Sequence, residues 1–152
     1  MSVQGLERLK TWKQAKEFAL SVFRQAIPLL PTEEKWNLNQ QMRRAAQSIP
    51  ANIAEGYGRY YYQENIRFCY LGRGSLEETL SHLVLAYELD YLPKELYERL
   101  IAEGDALTRL INGYISYLKR TRSGENEPGA PHRLSEPSEQ YFLETPDLDS
   151  SD

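Results

Sequence analysis

The chain has one cysteine, Cys69, and two histidines, His82 and His132, among its 152 residues. A single thiol excludes an internal disulfide, and so few Cys and His side chains exclude a structural zinc site. No apolar run approaches the ~20 residues of a membrane-spanning helix, and the N-terminus lacks a charged stretch leading into an apolar signal core. No membrane partner is therefore expected, and the expected location is the cytoplasm. Walker and dinucleotide-binding glycine loops are missing. A di-iron bundle needs Glu-x-x-His on two helices, whereas this chain offers only Glu78 followed four residues later by His82. Glu33-Glu34 and Glu77-Glu78 are adjacent pairs that diverge on a helix, unlike a working carboxylate pair. Cys69 falls on an apolar helical face with no histidine in reach, which reads as an inert buried thiol. No enzyme, metal or cofactor is expected.

What the chain does have is helical periodicity. Leu6, Leu9, Trp12, Ala15, Ala19, Val22, Phe23 and Ala26 predict a first helix over about Gly5 to Ile27, ended by Pro28 and Pro31. Thr32 is the expected N-cap of a second helix, which runs to about Tyr57 and passes through Pro50 as a bent but continuous element. A third helix is expected from about Gln63 to Leu89 on Ile66, Cys69, Leu76, Leu80, Leu83, Val84 and Tyr87. The fourth, from about Pro93 to Lys119, rests on Leu96, Leu100, Leu107, Leu110, Ile111, Tyr114, Ile115 and Leu118. No window keeps a period of two, so no sheet is expected. The fold class is all-α: an antiparallel up-down-up-down four-helix bundle over residues 1–122. From Ser123 onward Gly, Pro, Ser and Glu dominate, so residues 123–152 are expected to form a disordered acidic tail. Tyr141-Phe142-Leu143 is its one apolar cluster, a candidate docking motif set in a plain solvated tail.

Charge is divided along the chain. Residues 1–122 carry 17 Lys+Arg against 14 Asp+Glu, a net +3, while residues 123–152 carry one Arg against eight acids, a net −7. The overall −4 therefore hides a mildly basic body, which is compatible with a polyanionic partner.

The second and third helices hold the chemistry. Gln41, Arg44, Ser48, Asn52, Glu55 and Arg59 share one helical face beside the apolar stripe of Leu38, Met42, Ala45, Ile49, Ile53 and Tyr57. Arg73 points along the apolar seam of the third helix, where a charge needs a partner. Glu55 is its expected counter-ion, with Ser48 and Asn52 completing a structural polar network that fixes helix register. Ser75 is expected to bond back to a carbonyl of its own helix, and Gly74 to permit close helix approach. Arg43, Arg44, Arg59 and Arg67, with Lys35, have no obvious neutralising neighbour and lie beside Tyr57, Tyr60, Tyr61 and Tyr62. Guanidinium groups for phosphates and rings for stacking are what single-stranded or structured nucleic acid requires. The alternative is a solvated basic face with the tyrosines packed on the helices. No helix-turn-helix, RRM or KH signature is present.

A family resemblance adds to this reading. Its carriers are Trp12, Pro31, Glu34 and Leu38, then the run from Gln41 and Arg44 through Ser48, Asn52, Glu55 and Gly56 to Arg59, and lastly Arg73-Gly74-Ser75-Leu76 with Glu78. From about Leu9 to Leu118 the chain resembles the four-helix-bundle proteins encoded by intervening sequences in bacterial 23S rRNA genes. That family includes the accessory variability proteins of diversity-generating retroelements. The resemblance implies a ring-like homopentamer that binds nucleic acid without catalysis, in retroelement members as a partner of a reverse transcriptase and its template RNA. RNA is thus the favoured ligand and DNA a possible one. The competing expectation is a protein-interaction scaffold that meets nucleic acid only through a partner. Two departures from the family pattern stand out: Tyr60-Tyr61-Tyr62, where a small hydroxyl residue usually caps the third helix, and the acidic tail.

Overall fold

The computed structural model describes residues 3–122; the expected tail, with Tyr141-Phe142-Leu143, lies outside them. Among the described residues every regular element is helical: α1 (Val3–Glu7), α2 (Lys10–Ser21), α3 (Leu38–Tyr57), α4 (Tyr62–Glu88) and α5 (Lys94–Thr121). The four long helices pack as a closed cycle, α2 on α3, α3 on α4, α4 on α5 and α5 back on α2. The α3–α4 and α4–α5 connections are short and the α2–α3 connection turns back through residues 22–37, so successive helices run antiparallel and the all-α up-down-up-down bundle expected from periodicity is the observed fold.

The first helix differs most from expectation. It breaks at Leu9, whose backbone is extended, and α2 gives way to a π turn over Val22–Ala26 and a 3-10 turn over Ile27–Leu29. Pro28 cannot donate to the carbonyl four residues back and its ring crowds that carbonyl, so the preceding turns rewind. The start of α3 is also later than expected. Thr32 opens only a 3-10 turn over Thr32–Glu34 and caps nothing. The Glu34 carboxylate instead accepts the Leu38 amide at 3.2 Å and the Asn37 side-chain amide at 3.2 Å, closing the N-terminus of α3. Pro50 sits inside α3 without interrupting it. At the end of α4, Asp90 takes a left-handed φ of 63°. Its amide reaches the Tyr87 carbonyl and the Tyr91 amide the Ala86 carbonyl, both at 2.9 Å, a Schellman closure with aspartate where glycine is usual.

The core is built from Val22, Ile27, Met42, Ile49, Ile53, Leu76, Leu83, Leu100 and Ile111, all essentially inaccessible. Val84, expected on the apolar face of α4, is 40 % exposed, and Gly72, Thr79 and Ala86 take the buried positions instead. Gly72 is the glycine of α4 that lies against α3: a Cβ there would stand 3.3 Å from Ile53 and 3.4 Å from the Ile49 carbonyl. Gly74, expected in that role, faces open space.

Candidate nucleic-acid interface

Antiparallel packing gathers the start of α2, the α3–α4 turn and the end of α5 at one end of the bundle. Residues 3–14, 55–67 and 115–122 hold eight Lys+Arg against three acids, a net +5. The opposite end, residues 22–38 and 85–99, holds four against six, a net −2. The middle is balanced, so the folded body is polarised along its axis.

The turn at the basic end is short. Gly58 closes α3 by donating to the Ala54 carbonyl, the Arg59 amide reaches the Gly56 carbonyl at 3.0 Å, and α4 begins at Tyr62. No side chain caps α4, since its N-cap is Tyr61, in agreement with the missing hydroxyl residue. The three tyrosines divide. Tyr61 and Tyr62 are buried, their ring centroids 5.3 Å apart, and pin the turn to the core. Tyr60 projects into solvent at 80 % exposure. Beside it Arg59 donates to Glu55 at 2.8 Å and lies over the Phe68 ring at 5.3 Å. Arg67, one turn into α4, is exposed with no hydrogen bond or ion pair among the described residues.

The residues expected to bind nucleic acid do not form one cluster. Arg59, Tyr60 and Arg67 share the basic end. Lys35 stands before α3 at the opposite end, over the ring of the exposed Trp36 at 5.0 Å. The 20 residues of α3 hold it roughly 30 Å from Arg59. Arg43 is on the same distant part of α3, where it donates to Asn39 at 2.8 Å and covers Phe23 at 5.3 Å. Arg44 is exposed on α3 and unpaired among the described residues. Sequence reasoning missed Arg8, Lys10, Lys13 and Arg120 at the basic end. They are far from the α3–α4 turn in sequence, and only the closure of α2 and α5 onto it brings them there.

The expected network between helices is not formed. Glu55 pairs with Arg59, whereas Arg73 donates to Asn112 on α5 at 2.8 Å and lies over the Tyr70 ring at 4.8 Å. The cause is register: Gly72 is the residue of α4 that faces α3, so Arg73, about 100° further round, is turned away from Glu55 and reaches α5. Ser48 donates to the Arg44 carbonyl at 2.7 Å and Asn52 to the Ser48 carbonyl at 2.8 Å, both within α3. Ser75 contributes its carbonyl, which accepts the Thr79 hydroxyl at 2.8 Å.

A polar link between helices does exist one layer inward. Buried Asn65 donates to the Tyr114 hydroxyl on α5 at 3.2 Å and faces the Cys69 thiol at 3.7 Å. Burial pushes the Cys69 thiol up to about 12 and the Tyr114 hydroxyl up to about 12, so both stay neutral at ordinary pH. This thiol is no nucleophile. Among the described residues no group of three or more His, Cys, Asp or Glu could hold a metal, and no helix is long and apolar enough to cross a membrane. A cleft of about 520 Å³ between α2 and α5 has an apolar floor, Phe18 and Leu107, under Lys10, Glu17 and Glu103, without a histidine or cysteine.

Comparison with known proteins places this geometry. A crystal structure from Bacteroides thetaiotaomicron, a protein of unknown function from the S23 ribosomal protein family, is similar in fold. Its TM-score is 0.64 at 24 % identity, over 69 % of this chain and 97 % of that one. No curated protein matches. The family profile described as 23S rRNA-intervening sequence protein matches residues 7–113, which span α2 through most of α5 and include every helix of the bundle. The chain belongs to the 23S rRNA-intervening sequence protein family.

Proposed function

We propose that this chain is a non-enzymatic, homo-oligomeric nucleic-acid-binding bundle, with RNA or an RNA–protein complex as its ligand. The observation that carries the reading is the segregation of charge, net +5 at the end where Tyr60 is 80 % exposed. Cations that neutralise phosphates release counterions and supply affinity. An exposed ring beside guanidinium groups can stack an unpaired base, which RNA loops offer more readily than duplex DNA. The family's name, which ties its genes to 23S rRNA, points the same way. Fluorescence polarisation with a hairpin RNA at 50 and 200 mM salt tests it. Affinity should fall between the two, with a log–log slope of about 0.7–0.9 for each phosphate contacted. No complex at 50 mM, or a salt-independent one, overturns the reading.

The oligomer has support of its own. The outward side of α4 carries Leu71, Leu85 and Leu89, each 45–50 % exposed, and on the same side Gly74 has nothing within 4 Å. A glycine in mid-helix costs about 1 kcal/mol relative to alanine, and no contact inside one subunit accounts for it. Exposed Ala51 offers a similarly low surface on α3. Five subunits is the number the family resemblance implies. Light scattering at micromolar concentration should give a closed oligomer, and a monomer refutes it.

A second reading is a scaffold for a protein partner, in retroelement form a reverse transcriptase. Trp36, 76 % exposed, and Leu29, 47 % exposed, favour it, because both sit at the end away from the excess cations. Gene neighbourhood separates the forms: a reverse transcriptase gene with a template repeat nearby supports the retroelement partner, and a position inside an rRNA gene removes it.

A further inference from the structure

The end of α5 places the beginning of the acidic segment on the basic end. The helix stops at Thr121, and Arg122 follows in a left-handed turn at φ 47°. What comes next is the −7 of residues 123–152, joined to the +5 end and a bundle length away from the −2 end. Two opposite charges of similar size therefore share an attachment point, whereas the far end of the same bundle would repel the segment. Its acids are spread from Glu125 to Asp152, so successive carboxylates can meet cations that α2, the α3–α4 turn and α5 contribute separately.

We propose that the acidic segment 123–152 docks on the basic end of its own bundle and competes there with nucleic acid for Arg8, Lys10, Lys13, Arg59, Arg67 and Arg120. The competition rests on the nucleic-acid reading above; the docking does not. The segment is a tethered polyanion whose local concentration is about 1 mM. A weak intrinsic dissociation constant on the order of 0.1 mM for its carboxylates, the weak end of unspecific polyanion binding, then lowers the observed RNA affinity about tenfold at low salt. Screening removes the effect as the Debye length shrinks from about 10 Å at 0.1 M to a few ångströms near 1 M.

Two measurements on the full chain decide it. Zero-length carbodiimide crosslinking with peptide mapping joins carboxylates only to lysines in direct contact. At about 50 mM salt it should link acids of 123–152 to Lys10 and Lys13 and not to Lys35 or Lys94, and about 0.5 M salt should abolish the links. Links that are absent, or spread evenly over both ends, overturn the docking. In the second, a full-length variant with the eight acids of 123–152 changed to their amides is titrated with the hairpin RNA beside the wild type. It should bind about tenfold more tightly at 50 mM salt, with the gap closed by about 0.3 M. Equal affinity at 50 mM overturns the competition. If neither protein binds RNA, the proposed function falls, and the crosslinks still decide whether the segment docks.

Discussion

Where α3 turns into α4, neighbours in sequence face opposite ways. Gly56, Tyr61, Tyr62 and Asn65 are buried, whereas Glu55, Arg59, Tyr60 and Arg67 are exposed. The inner set is held by close packing and one polar link to α5. The outer set makes local bonds or none. One short stretch therefore carries two separable properties, helix assembly on the inside and charge presentation on the outside, and substitutions can move either one alone.

The largest effect should come from the inside. A Cβ on Gly56 would stand 2.8 Å from the Asn65 carboxamide oxygen, 2.9 Å from the Phe68 Cβ and 3.0 Å from the Asn65 carbonyl. Two of these three contacts are with rigid parts of α4, so Gly56→Ala forces α3 and α4 apart and should cost about 2–3 kcal/mol even after its gain in helix propensity. Gly104 provides the control. Its Cβ would meet Leu80 at 2.5 Å, a shorter distance, yet the contact is the mobile end of a side chain. Gly104→Ala should stay within about 1 kcal/mol of wild type in denaturant melts. Equal losses would mean that proximity alone, not the rigidity of the neighbour, sets the cost.

Next in size is the buried link. Tyr114→Phe leaves the Asn65 amide without its acceptor and should cost about 1–2 kcal/mol, with RNA affinity unchanged. The same site sets an alkaline limit. Cys69 and Tyr114 are both raised to about 12 by burial, so the folded state keeps protons that the unfolded state releases first. Their contribution to stability is complete below about pH 9 and is lost as pH rises from there toward 12. Urea melts across that range should show the decline, and Tyr114→Phe should show less of it. A binding defect in this variant would break the separation between inside and outside.

How much of this was visible in the sequence follows from which contacts are local. Apolar spacing of 3 and 4 marks α3, α4 and α5 directly, because one helix face is a local property. The break at Leu9 was hidden because Leu9 itself fits the apolar spacing, and the π turn before Pro28 because it leaves the hydrophobic pattern intact. Glu55 and Arg73 were expected to pair because each has a suitable spacing in its own helix. Pairing depends on the rotation of one helix against another, which Gly72 sets. Asn65 and Tyr114 lie 49 positions apart and neither is conspicuous. The cations of the basic end come from three segments, and their sum needs the topology.

The outside should move binding and leave stability nearly still. Arg67→Gln, at the basic end, should lower the salt slope of RNA binding by about one phosphate contact and weaken binding roughly fivefold to tenfold at 100 mM salt. Lys35→Gln, at the other end, should change affinity less than twofold, an expectation that rests on its separation of a whole helix. Melting temperatures of both should match wild type. If Lys35→Gln matters as much as Arg67→Gln, the charge polarity of the bundle is not what the ligand reads.

A small stability change, paired with a binding change of opposite sign, belongs to Glu55→Ala. A buried Glu55–Arg73 pair would have made it severely destabilising, since removing one partner of a buried pair costs about 3–5 kcal/mol. The pair Glu55 actually forms is with Arg59, and the two side chains are 53 % and 44 % exposed. An exposed pair spaced by four on one helix is worth about 0.3–0.5 kcal/mol. Gln would keep the shape, but Ala removes the acceptor altogether and releases the guanidinium, which still has the Phe68 ring beneath it. Glu55→Ala should therefore melt within about 1 °C to 3 °C of wild type and bind RNA more tightly, because the basic end loses one of its three acids. Arg59→Ala should melt the same way and bind more weakly. Opposite binding shifts with matched melting curves would place both residues on the outside. A large loss of stability in Glu55→Ala would instead mean that its carboxylate is buried in the assembled protein, at a contact between subunits.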